Sequence, residues 1–86
     1  MKLNKELPYV VKEFKKIKNK IPPYAEELKK EGNYKDFKTR LAWDCLYAVI
    51  PINTVCNWYD EYNCNDNHVT TLAKKALKQV YDININ

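Results

Sequence analysis

One glycine, Gly32, stands in a chain of 86 residues, beside four prolines. Hairpin turns need residues that accept positive φ, and a sandwich or barrel needs many such turns. So little turn chemistry turns the chain towards helices, and the apolar spacing agrees. Leu3, Leu7, Val10, Phe14, Ile17 and Ile21 step by 4, 3, 4, 3 and 4, one face of an amphipathic helix. Asn4 is placed to cap it, and Pro8 falls in its first turn, where a missing N–H costs little.

The same reading divides the rest of the chain. Ile21-Pro22-Pro23 ends the first helix, and Pro23 opens a second that stops at Gly32. Glu26 and Glu27 then lie in its first turn and Lys29 and Lys30 near its end, the order that suits the helix dipole. Asn33 and Asp36 begin a third helix as a weak capping box. Tyr34, Phe37, Leu41, Cys45 and Ala48 share one face of it, with Trp43, Leu46, Tyr47 and Ile50 on the other. Apolar on both sides, it is expected at the centre of the bundle, with Arg40 one turn before Asp44 to satisfy that carboxylate. Beyond Pro51, the spacing of Ile52, Val55, Tyr59 and Tyr62 makes a fourth helix, with Cys56 also placed inward and Trp58 at the boundary. Asn63 to Asn67 is a polar break, and a fifth helix opens at Asp66 or Asn67 with Val69, Leu72, Ala73, Ala76, Leu77 and Val80 inward. The expectation is an all-α chain: one domain over residues 1–86, a compact bundle of five short helices with the third central, and a frayed tail at 82–86.

Composition narrows function more by exclusion than by assignment. Hydrophobic residues make up 45% and eleven are aromatic, enough for a core and too many for a disordered chain. No apolar run is long enough for a membrane span, and the start, MKLNKELPYVV, lacks the apolar core and cleavage site of a signal peptide. Three cysteines without an export signal read as reduced thiols, so a cytoplasmic protein is expected. Charge is uneven: residues 1–40 carry twelve Lys/Arg against six Asp/Glu, and residues 41–86 carry three against five.

Chemistry-bearing residues crowd into CNWYDEYNCNDNHV, Cys56 to Val69. Cys45, Cys56, Cys64 and His68 are spaced by eleven, eight and four, unlike the close pairs that wrap zinc. Cys64 and His68 flank a helix start that lowers a thiol pKa, but no oxyanion loop or third orienting group accompanies them. Asp60, Glu61 and Asp66 read as a polar helix face, and no nucleotide-binding or zinc-hydrolase motif occurs. No catalytic residue, metal or cofactor is expected. The third helix, the turn Pro51-Ile52-Asn53 and TVCNWYDEY resemble a DNA-reading helix pair, yet the second helix exposes Asp60 and Glu61 and carries no cation.

Two classes of function remain. The first is a non-enzymatic protein-binding module with Trp58, Trp43 and Tyr47 as candidate anchors, self-association being compatible with so small a core. The alternative is nucleic-acid binding through Lys12, Lys15 and Lys16 with Lys74, Lys75 and Lys78. Docking of the first helix on an anionic membrane would require it to leave the core, so no stable membrane insertion is expected.

The segments TRLAWDCLYA and NCNDNHVTTLAKKAL, with the bias of lysine over arginine, resemble small accessory proteins of T-even bacteriophages, in particular the rapid-lysis III lysis-inhibition family of cytoplasmic antiholins. The likeness covers residues 33–81 and rests on no signature motif, so it carries no functional residue onto this chain. It implies a phage protein in the host cytoplasm that binds the cytoplasmic part of a holin, or an inhibitor of another phage or host protein.

Overall fold

The apolar face that opens at Leu3 begins in a turn tighter than an α-helix. In the computed structural model, which describes residues 2–32 and 37–81, a 3-10 turn (Lys2–Glu6) leads into α1 (Leu7–Lys15). Asn4 therefore lies inside the turn and does not cap α1; the residue before α1 is Glu6, which makes no side-chain cap bond. Leu3 is fully buried, with Val10 and Phe14. Pro8 does sit in the first turn of α1.

The remaining elements are α2 (Ile21–Glu31), α3 (Phe37–Val49), α4 (Ile52–Tyr62) and α5 (Asp66–Tyr81). Among the described residues there are five α-helices and no strand, the all-α bundle that the turn-poor sequence dictates. The expected start of the third helix at Asn33, its cap at Asp36, the inward place of Tyr34 and the tail 82–86 lie outside the described residues.

Connections follow local chemistry. α1 gives way at Lys15 to tighter i to i−3 bonds, Lys16 N–H to Glu13 O and Ile17 N–H to Phe14 O, both 3.1 Å. Pro22 and Pro23 occupy the first turn of α2, where amides lack helical partners in any case. Because α2 starts at Ile21, Glu26 and Glu27 fall after its first turn, not in it as the sequence suggested. Gly32 ends α2 in the left-handed conformation, φ 69°, the stop its position predicted. Asn63 plays that part for α4 at φ 49°.

The core is one cluster fed by every element. α1 packs closely along α5, and α3 touches α1, α2 and α5, so the central place expected of α3 is shared with α5. No buried polar or charged residue interrupts the core among the described residues. α4 packs against the N-terminal turn, with Val55 and Trp58 as its buried residues.

This orientation of α4 corrects three expectations. Trp58 is 3% exposed and lies in the core, edge-on to Tyr9 at 6.5 Å between centroids. Ile52 and Cys56, expected inward, face out. The reason is area: a short helix buries only one stripe, and the stripe that holds the indole removes more apolar surface from water than the one that holds Ile52.

Candidate functional site

The corner where α3 ends and α4 begins carries the chain's apolar surplus. Tyr47 is 55% exposed and Ile52 62%, and these are the two exposed large hydrophobic residues among the described ones. Ala48 and Pro51 between them are exposed as well. Ile52 and Cys56 are one helical turn apart on the outer side of α4, and Tyr59, at the next turn, is half-buried against the core.

Trp43 supports the corner from below. Its ring lies against Tyr47 at 5.4 Å between centroids, tilted 37°. Its indole N–H donates to Thr70 Oγ1 at 2.7 Å, tying α3 to α5. Trp43 is half-buried, so part of the ring belongs to the packing and part to the surface. Of the three anchors expected from sequence, Tyr47 is exposed, Trp43 is a shoulder, and Trp58 is removed to the interior, where it anchors no partner. Ile52 was missed because a 3, 4, 3 spacing marks a face without saying which face is covered.

Aromatic hydroxyls pin the edges of the bundle to carboxylates. Tyr62 donates to Glu6 Oε2 at 2.5 Å, linking α4 to the N-terminal turn; that bond, with burial second, pushes its pKa up to about 12. Tyr59 donates to Asp66 Oδ1 at 2.5 Å, and burial first and this bond second hold its hydroxyl above the ordinary range. Tyr24 donates to Asp44 Oδ2, which also accepts from Arg40 Nε at 2.8 Å. Arg40 thus serves the carboxylate, as its spacing suggested. Tyr24 and Asp44 line a groove of about 360 Å³ with Ile17, Lys20, Ile21, Cys45 and Ala48.

The cysteine–histidine pair has no nucleophilic geometry. Asn65 Oδ1 accepts from the His68 N–H at 3.2 Å, and His68 Nδ1 accepts from the Asn65 N–H at 3.1 Å. This reciprocal cap opens α5 with a histidine where Glu or Gln usually stands. His68, expected towards solvent, is half-buried by it. Cys64 Sγ points instead to the carbonyl of Trp58 at 3.4 Å, and burial raises its thiol pKa, against the lowering expected at a helix start. Cys45 is buried and pushed up to about 11, by desolvation first and Asp44 second. Among the described residues, no group of three His, Cys, Asp or Glu side chains is placed to hold a metal.

The lysines divide. Lys12, Lys15, Lys16, Lys75 and Lys78 are exposed, and Lys74 is half-buried. Lys16 is paired with Glu13 at 3.0 Å. Lys74 and Lys78 join Lys38 of α3 and Leu77 around a cleft of about 290 Å³. No helix among the described residues is long and apolar enough to cross a membrane. Set against protein-family models, curated proteins and solved structures, the chain matches none.

Proposed function

We propose that this chain is a small non-enzymatic helical binding protein of the cytoplasm, docking a protein partner on the α3–α4 corner. The observation that carries the reading is the joint exposure of Tyr47 and Ile52 on adjacent helices, where the other large aliphatic residues among the described ones are buried or packed partly against the core. Tyr47 supplies a rigid amphipathic ring held in place by Trp43, and Ile52 supplies an aliphatic knob beside it. Such pairs act as hot spots, because desolvating a preorganised ring costs little side-chain entropy. The reading replaces Trp58 with Ile52 as an anchor.

The resemblance of residues 33–81 to lysis-inhibition antiholins makes the cytoplasmic segment of a phage holin the first partner to try, with other phage or host proteins next. The test compares wild-type chain with Tyr47→Ser/Ile52→Ser as bait, in nuclease-treated lysate and against the holin segment as a labelled peptide. Loss of two anchors is expected to weaken capture roughly 100-fold or more, while the thermal midpoint stays within a few degrees because both side chains are exposed. Equal capture by the two baits would refute the corner as the docking site. Sedimentation of both proteins tells whether the partner is a second copy of the chain.

A further inference from the structure

The outer side of α4 carries apolar and charged groups in line. Ile52, Cys56 and Asp60 follow one another at four-residue steps, all exposed, and Glu61 stands exposed beside Asp60. At 1.5 Å per residue, Asp60 lies about 12 Å along the helix from Ile52. One end of this line is the apolar α3–α4 corner, and the other end is anionic.

Helix chemistry does not call for the anionic end. Asp60 and Glu61 sit in the last turn of α4, at the negative end of its dipole, where a cation is favoured and none stands. Asp66, held near by through its bond from Tyr59, has its reason in the first turn of α5. The chain carries an excess of four cations, yet no Lys or Arg lies between Arg40 and Lys74 in sequence. Lys2 and Lys5 belong to the turn on which α4 packs, and the ion pairs among the described residues still leave Asp60 and Glu61 out. Both carboxylates are therefore open to a counter-charge from outside.

We propose that the partner of the α3–α4 corner is a cationic amphipathic protein segment, with an apolar side chain against Tyr47 and Ile52 and a Lys or Arg about 12 Å away over Asp60. This rests on the corner being the docking surface, and adds the chemistry of what docks there. Charge complementarity selects the class: an acidic or phosphorylated segment would meet like charge, and so would nucleic acid at this face. A second copy of the chain fits less well. Its α1 offers Lys12, Lys15 and Lys16, but the apolar face of that helix, with Val10 and Phe14, is buried, so the cations come without an anchor.

The probe is a displayed library of random short peptides, selected in parallel on the wild-type chain and on Tyr47→Ser/Ile52→Ser. Peptides retained by the wild-type chain alone are expected to pair an apolar anchor with Lys or Arg. Asp60→Asn/Glu61→Gln is expected to bind those peptides about five- to tenfold more weakly, the loss of two charge contacts at an interface rim. Its thermal midpoint should stay level or rise, because the strain on the helix dipole is relieved. Glu27→Gln/Glu31→Gln removes as much charge from exposed positions on α2 and is expected to change affinity less than about twofold. Corner-dependent peptides that are neutral or acidic, or that bind Asp60→Asn/Glu61→Gln as tightly as wild type, would overturn the proposal and leave the corner standing. Equal retention by the wild-type chain and Tyr47→Ser/Ile52→Ser would remove the corner itself, and the proposal with it. Self-association in sedimentation that is lost in Tyr47→Ser/Ile52→Ser would make a second copy the occupant and overturn it as well.

Discussion

Replacing Trp58 separates the core from the binding surface. The indole is 3% exposed and sits edge-on to Tyr9 in the cluster that holds α4 to the N-terminal turn. A buried tryptophan removes on the order of 200 Å² from water, or ~5 kcal/mol at about 25 cal/mol per Å². That is an upper figure, because the unfolded chain already covers part of the ring. Tryptophan-to-alanine changes in cores cost about 3–5 kcal/mol. A chain of 86 residues has a total stability on the order of 4–13 kcal/mol. Trp58→Ala is therefore expected to remove about a quarter or more of it and to lower the thermal midpoint by at least ~12 °C. Trp58→Phe keeps a ring against Tyr9 and should cost about 1–2 kcal/mol. Thermal and urea unfolding followed by far-ultraviolet circular dichroism give both values. Trp58→Phe must also keep full partner binding at a temperature where it is folded. A drop below ~5 °C for Trp58→Ala would mean that α4 does not seat its indole in the core, and the exposure of Ile52 would lose its basis.

Three further outcomes follow from named contacts. Asn65→Ala breaks the reciprocal cap of α5 and should cost ~1 kcal/mol, while His68→Gln, which restores the usual partner, should cost less than half of that; urea midpoints decide. The hydroxyl of Tyr62, raised to about 12 by Glu6, and those of Tyr24 and Tyr59, raised likewise, bind their protons more tightly folded than unfolded. Their contribution is complete below pH ~10 and is lost as pH rises through the folded values, so stability falls in alkali and Tyr62→Phe flattens the fall; equal slopes from pH 9 to 12 would contradict the Glu6 bond. A thiol reagent should label exposed Cys56 within the mixing time and Cys45, 4% exposed with its pKa near 11, only on unfolding; mass spectrometry of the peptides reads the order, and rapid labelling of Cys45 would contradict the packing of α3.

Much of the fold was legible because helix formation is local. The 3.6-residue spacing of Val10 and Phe14, the prolines at 22 and 23, the left-handed stop at Gly32 and the cap-rich break before Asp66 each act within one or two turns. They fix where a helix runs whatever it packs against. The pairing of Arg40 with Asp44 was legible for the same reason, being one turn long.

The surface was not legible, because exposure is a contest between faces of different elements for one limited interior. On α4 the stripe through Val55 and Trp58 and the stripe through Ile52 and Cys56 are both plausible in isolation; the packing of α4 on the N-terminal turn, with Tyr9 of α1 edge-on to Trp58, decided between them. The meeting of Lys38 with Lys74 and Lys78, 36 and 40 residues away in sequence, has no local signal at all. The sequence by itself determined the number of helices, the ends marked by Gly32 and by the break before Asp66, and an apolar core. Only tertiary packing decided that Tyr47 and Ile52 face solvent together and that three like charges share a cleft, because burial depends on which neighbours reach a side chain first.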